Sequence, residues 1–197
     1  MFQGAEPSPS ATSDGDDNDL RGAAEVVDGA LQRLIDQEAV TRLVLTWMDG
    51  IDTRSYDAVR SAWADEQEVE FVGFPAGSPL SSGRYETDRR THGLIAMISQ
   101  FSSTQHLNTN HLVTVEGDRA TCSCYVLATH HMDIERGEPW STIGARYDLE
   151  AARLEGAWKL TKLRWTRLWS SGNDGLWAEA ARRMAAGRRD ATGAGSA

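Results

Sequence analysis

Between residues 104 and 169 the chain is written as two long β-hairpins, and few folds can accept such a half-sequence. Thr104 to Val115 and Arg119 to Met132 flank a tight Gly117-Asp118 turn. Trp140 to Ala151 and Ala157 to Trp169 are joined around Glu155-Gly156. The first half has a different period. From Gly29 to Ile51, Leu31, Leu34, Ile35, Val40, Leu43, Val44, Trp47, Met48 and Ile51 follow helical spacing, so one long helix carries one buried stripe. Asp52 to Ser55 breaks that helix, and Tyr56 to Ala64 reads as a short second one. Glu68 to Phe74 reads as a strand, and Phe74 to Gly83, with Pro75, Gly77 and Pro79, as a loop. Thr87 to Phe101 is a third helix, and Leu176 to Met184 a last one. Helices first and antiparallel strands afterwards make an α+β plan, with helices packed on one face of a bent sheet.

The 197 residues suffice for one domain with a sizeable core, expected over residues 26–185. Residues 1–25 are rich in Ser, Gly, Pro, Ala and Asp, with no base before Arg21. Such a segment buries too little apolar surface to offset its ordering entropy, so disorder is expected there and over 186–197. Acidic residues outnumber basic ones by 29 to 20, a formal net charge of −9, which argues against nucleic acid as a partner. No apolar run approaches the ~20 residues of a membrane helix. The N-terminus lacks the basic-then-apolar layout of a secretory signal, so a cytoplasmic location is expected. Cys122 and Cys124, two apart on one strand, read as small buried thiols rather than a disulfide.

Asp52, in DGIDTRSYD, and His106, in STQHLNTNH, are the candidate chemical pair. A carboxylate that orients an imidazole makes a general base without a metal or cofactor. Taken alone, Asp52 also reads as a helix-terminal turn former and His106 as a satisfied histidine. Asn108 and Asn110 share the strand face of His106 by the period of two, which suits a pocket lining. With Gly117-Asp118 as a two-residue turn, residue 106 lies opposite residue 129, and His131 falls on the face of His106. A single β-bulge would bring in His130 instead. His106 and His111 are an odd number of steps apart and face opposite ways, so no metal site is expected.

Four stretches carry a resemblance to a known family. IDTRSYDAVRSAWADE is similar to an Asp-bearing helix junction, and TQHLNTNHLVTVEGDRAT to a His-bearing strand and turn. ARYDLEAARLEGAWKL and RWTRLWSSGN are similar to a penultimate hairpin and a final strand. In order and spacing they resemble the SnoaL-like branch of the nuclear transport factor 2-like superfamily, over roughly Leu31 to Asn173. The resemblance implies a cone-shaped fold, with N-terminal helices packed on a strongly curved, mainly antiparallel sheet that encloses one pocket. In scytalone dehydratase and hexachlorocyclohexane dehydrochlorinase an Asp and a His stand at the positions of Asp52 and His106. Scytalone dehydratase has a Tyr where this chain has Ile51, and its second His matches His130.

The expectation is a cofactor-independent lyase, isomerase or cyclase acting on a hydrophobic small molecule, with Asp52 and His106 catalytic. Trp47, Met48, Phe71, Asn108, Tyr125 and His131 are the expected substrate contacts. The family resemblance implies a homodimer or homotrimer and a place in secondary metabolism such as polyketide chemistry. Two rival readings are a non-catalytic ligand-binding or accessory subunit of the same fold, and an epoxide hydrolase, whose carboxylate–Arg–carboxylate water clamp finds no convincing spacing here although Asp52 and Arg54 are near each other.

Overall fold

The computed structural model describes residues 14–74, 78 and 80–193, with side chains from residue 19 to residue 187. The chain divides into two units, Met1–Asp36 and Gln37–Ala197. In the first, the described residues are helical, and Leu20, Val26, Val27, Leu31, Leu34 and Ile35 are exposed. The tail expected over residues 1–25 is thus helical from Asp14 onward, and residues 1–13 lie outside the described residues.

Helix α1 spans Asp14–Asp52, and its residues from 37 onward belong to the second unit. That unit continues with α2 (Tyr56–Ser61), β1 (Trp63–Val72), β2 (Gly83–Glu86), α3 (Thr87–Ile98), β3 (Ser103–Glu116), β4 (Arg119–His131), β5 (Trp140–Leu154), β6 (Ala157–Gly172) and α4 (Leu176–Gly193). The expected C-terminal tail over 186–197 is therefore helical as far as Gly193, and residues 194–197 are not described.

The six strands form one curled, unclosed sheet in the order β2-β1-β6-β5-β4-β3. Both expected hairpins are present. Glu116 pairs with Arg119 across a two-residue turn, and Leu154 with Ala157. Glu155 and Gly156 take φ of 50° and 83°, the left-handed pair that suits the twist of a tight hairpin. One pairing is parallel, β1 with β6, so the sheet is mainly antiparallel. β2 begins at the last residue of the segment expected to be loop and runs through residues 84–86, which had no expected element; it pairs with β1 and forms one edge.

Alternation along the strands decides which face is buried. Cys122, Cys124, Val126, Ala128 and His130 of β4 point inward, as do Ile143, Ala145, Tyr147 and Leu149 of β5. They pack with Val40, Val44, Trp47, Met48 and Ile51 of α1, residues of a single helical stripe. Leu107, Leu112, Tyr125 and Leu127 lie exposed on the opposite face, and Leu168 and Trp169 of β6 are also exposed. Pairing steps out of register at Thr109/Leu112, Gly144/Ala145 and Glu150/Ala151. Such bulges sharpen a strand's bend and twist.

Candidate active site

Asp52 is the last residue of α1, and its position is fixed by the turn that follows. Thr53 and Ser55 return their N–H groups to the carbonyls of Asp49 and Gly50, at 2.8 and 2.8 Å. Ser55 then caps α2, its hydroxyl accepting from the Ala58 N–H at 3.2 Å. A Cβ on Gly50 would stand 2.8 Å from Ala58 Cβ and 2.9 Å from Val59 N, so only glycine lets the two helices meet this closely. Arg54 sits at φ 58°, and its guanidinium donates to the carbonyls of Asp52 (2.8 Å) and Phe101 (2.9 Å). The helix junction is thereby tied to the entrance of β3.

β3 is the other edge of the sheet, which frees the main chain on its outer side. The His106 N–H uses that freedom and donates to Asp52 Oδ2 at 2.7 Å. His106 Nδ1 lies 2.7 Å from Asp52 Oδ1, and the Thr104 hydroxyl donates to the same oxygen at 2.8 Å. Burial alone would raise the Asp52 pKa. The hydrogen bond and charge of His106, its main-chain N–H and the Thr104 hydroxyl outweigh burial and hold the group below its ordinary value. A carboxylate accepts only, so Nδ1 carries a hydrogen, and in the neutral ring Nε2 keeps a lone pair. The His106 side chain is 5% exposed, against 22% for Asp52. The imidazole is therefore drier than the carboxylate it contacts.

The His106 ring lines a cavity of about 440 Å³, within the range of small-molecule sites. Trp47 and Ile51 come from α1, Leu94, Met97 and Ile98 from α3, and Phe71, Tyr147, Leu163 and Trp165 from the sheet. Trp177 of α4 completes the apolar wall, and Arg84, Tyr85, Arg89 and Arg90 bring polar groups. His130 also lines the cavity, its ring 5.3 Å from that of His106 and 4.5 Å from that of Trp177. His130 is fully buried, and neither ring nitrogen meets a hydrogen-bond partner among the described residues. Burial, with the neighbouring His106, pushes its pKa down to about 3 against weaker opposition from Asp52 and the Ala128 backbone. It is a neutral imidazole beside His106.

Residues 32–164 match the model of the SnoaL-like domain, well over half of the chain. The chain belongs to the SnoaL-like family. No curated protein matches it. Among solved structures, the Kfla4162 protein of Kribbella flavida superposes with a TM-score of 0.66 at 23% identity, over 74% of this chain and 97% of that one. A Novosphingobium aromaticivorans protein, provisionally assigned as a scytalone dehydratase, gives a TM-score of 0.60 at 19% identity, over 71% and 89% of the two chains. A type 2 hexachlorocyclohexane dehydrochlorinase gives 0.61 at 23%, over 74% and 94%. These likenesses establish the fold that the SnoaL-like domain shares with them.

Within this SnoaL-like domain, Asp52, His106, Trp47 and Phe71 come together at or beside the cavity. Four expected contacts do not line it. Met48 is buried in the core and does not line the cavity. Tyr125 lies on the outer face, 44% exposed, with the Arg146 guanidinium 5.9 Å from its ring. Asn108 is on the His106 side of β3, but its buried amide meets no partner and is not part of the cavity wall.

His131 is the fourth, and its displacement has a clear cause. Leu112 pairs with Ser123, but Thr109 pairs with Tyr125, so one extra residue of β3 bulges out near Asn110, which takes φ 57°. His106 therefore faces Ala128 rather than residue 129, and His130 replaces His131 in the cavity. His131 instead sets its Nδ1 3.2 Å from the Ser102 hydroxyl. Asn110, by the same bulge, is exposed rather than lining a pocket. Arg54 donates to main-chain carbonyls, so it forms no water clamp with Asp52. Sequence reasoning also passed over Arg90, although Arg90, Leu94 and Met97 share one helical face. A charge inside an apolar stripe was the available signal.

Proposed function

We propose that this SnoaL-like protein is a cofactor-independent lyase or isomerase acting on a hydrophobic small molecule, with His106 as general base and Asp52 as its positioning partner. The observation that carries this reading is the 2.7 Å contact of His106 Nδ1 with Asp52 Oδ1 at the wall of an apolar cavity. His106 Nε2 takes a proton from a carbon next to a carbonyl or a leaving group. The C–H electron pair becomes a new C=C bond. A leaving group then departs with its own electron pair, or the proton returns at another carbon. Asp52 stabilises the imidazolium formed in between. The neutral His130 offers a hydrogen bond to a substrate oxygen without competing for the proton. The dehydratase and dehydrochlorinase neighbours, whose reactions are eliminations, support this class.

The test is a set of hydrophobic substrates bearing an acidified C–H bond, followed for elimination or double-bond migration. Wild-type turnover that falls ~10²–10⁴-fold in His106→Gln, with the fold intact, is the expected result. Turnover indifferent to that change contradicts the proposal.

A further inference from the structure

The protein is strongly acidic overall, yet its cavity is not. The chain carries a net charge of −9, while the described cavity wall contains Arg84, Arg89 and Arg90 and no Asp or Glu. Asp52 stands behind His106 and is already engaged by it.

Arg90 is the informative member. It projects from the first half of α3, whose start is fixed by the Glu86 carboxylate accepting from the Asp88 and Arg89 N–H groups at 2.9 and 2.9 Å. Its guanidinium carbon lies 5.0 Å from the ring centre of Tyr85 and 5.8 Å from that of Phe71. Among the described residues it makes no ion pair and no hydrogen bond. Other sheltered arginines of this chain are partnered. Arg60 bonds Asp65 and Asp88, Arg54 two carbonyls, and Arg167 bonds Asp174. Removing a guanidinium from water without a counter-charge is unfavourable, and burial here already lowers its pKa. Aromatic faces soften that penalty but do not replace an anion.

We infer that the substrate is a hydrophobic organic acid, whose carboxylate docks on Arg90 while its apolar body lies among Trp47, Phe71, Leu94 and Trp165, against His106. A planar carboxylate matches the fork of a guanidinium with two parallel hydrogen bonds. Arg84, held to Glu68 at 3.5 Å, and the exposed Arg89 add positive potential on the way in. The inference names the substrate class for the site proposed above, and in that sense rests on that reading. Arg90 binds and orients; the proton still goes to His106.

The experiment is binding, followed by quenching of the cavity tryptophans. Each acid in a graded set, from benzoate through naphthalene-2-acetate to anthracene-2-carboxylate, is compared with its primary amide of the same shape. Wild type is expected to bind the best-fitting acid about tenfold or more tighter than its amide. Arg90→Gln and Arg90→Met, checked by thermal melting, are expected to bind the two alike. Equal wild-type binding of acid and amide overturns the inference, as does a preference that survives both Arg90 changes, or failure of every acid to bind. His106→Gln is expected to keep the preference. A dead general-base reading would therefore leave the acid preference standing, and the reverse holds too.

Discussion

At the scale of single residues, two imidazoles 5.3 Å apart stand in different surroundings. His106 has a carboxylate on Nδ1, and His130 has only rings and hydrophobic wall. Asp52→Asn keeps the shape but can present its NH₂ to Nδ1, favouring the wrong tautomer. We expect it to lower kcat by ~10²–10⁴-fold with little change in KM, read by steady-state kinetics on any substrate found. Because the Asp52 pKa is depressed by folding, its stabilisation is complete above the ordinary value of 3.8 and is lost as pH falls through the lower folded value. His130 acts at higher pH. Its folded pKa of about 3 lies below the ordinary 6.5, so between those values the unfolded chain takes up a proton that the folded one refuses. Stability then falls with falling pH, by up to about 1.4 kcal/mol per pH unit from this group. His130→Phe should flatten that decline between pH 6.5 and 3 in denaturant titrations; parallel curves for the two proteins would show that His130 is not held neutral.

At the scale of elements, the site depends on how closely α1 meets α2. Gly50→Ala places a methyl against Ala58 and the Val59 backbone, and a cost of about 1–3 kcal/mol is expected from overpacking. A chemical denaturation midpoint unchanged by the substitution would show that the junction yields freely. The same element scale shows what could be read in advance. The Gly117-Asp118 and Glu155-Gly156 turns and the α1 stripe rest on local patterns that are visible in the chain, whereas Asp52 and His106, 54 positions apart, were paired through the family resemblance. The bulge near Asn110 was not visible, because nothing in LNTNHL forces an asparagine into a left-handed conformation until the curling sheet requires one. That single residue decides between His130 and His131. β2 was hidden because Gly83–Glu86 is short and follows a Pro- and Gly-rich segment, and its strand character comes from pairing with β1.

At the scale of the whole molecule, long-range pairing is what the sequence hides best. The parallel contact of β1 with β6 joins residues about a hundred positions apart and has no local signature. The parts of the cavity wall contributed by Tyr147, Leu163 and Trp177 follow from that topology. The outer face of the sheet raises a second matter. Leu107 pairs directly with Leu127, and both are exposed, with Leu112 and Tyr125 on the same face. We propose that the homodimer or homotrimer implied by the family resemblance forms through this face. Light scattering should then give a multiple of the 21.6 kDa chain mass that drops to one chain in Leu107→Arg/Leu127→Arg. A wild-type monomer would remove the proposal.

The central claim, that Asp52 prepares His106 to accept a proton, can be met directly by ¹⁵N NMR of the histidine rings. In the neutral state of the ring, the account predicts a hydrogen on Nδ1 of His106 and a bare Nε2, a pattern lost in Asp52→Asn. A His106 ring carrying its hydrogen on Nε2 would have no lone pair to offer the cavity, and would contradict the account.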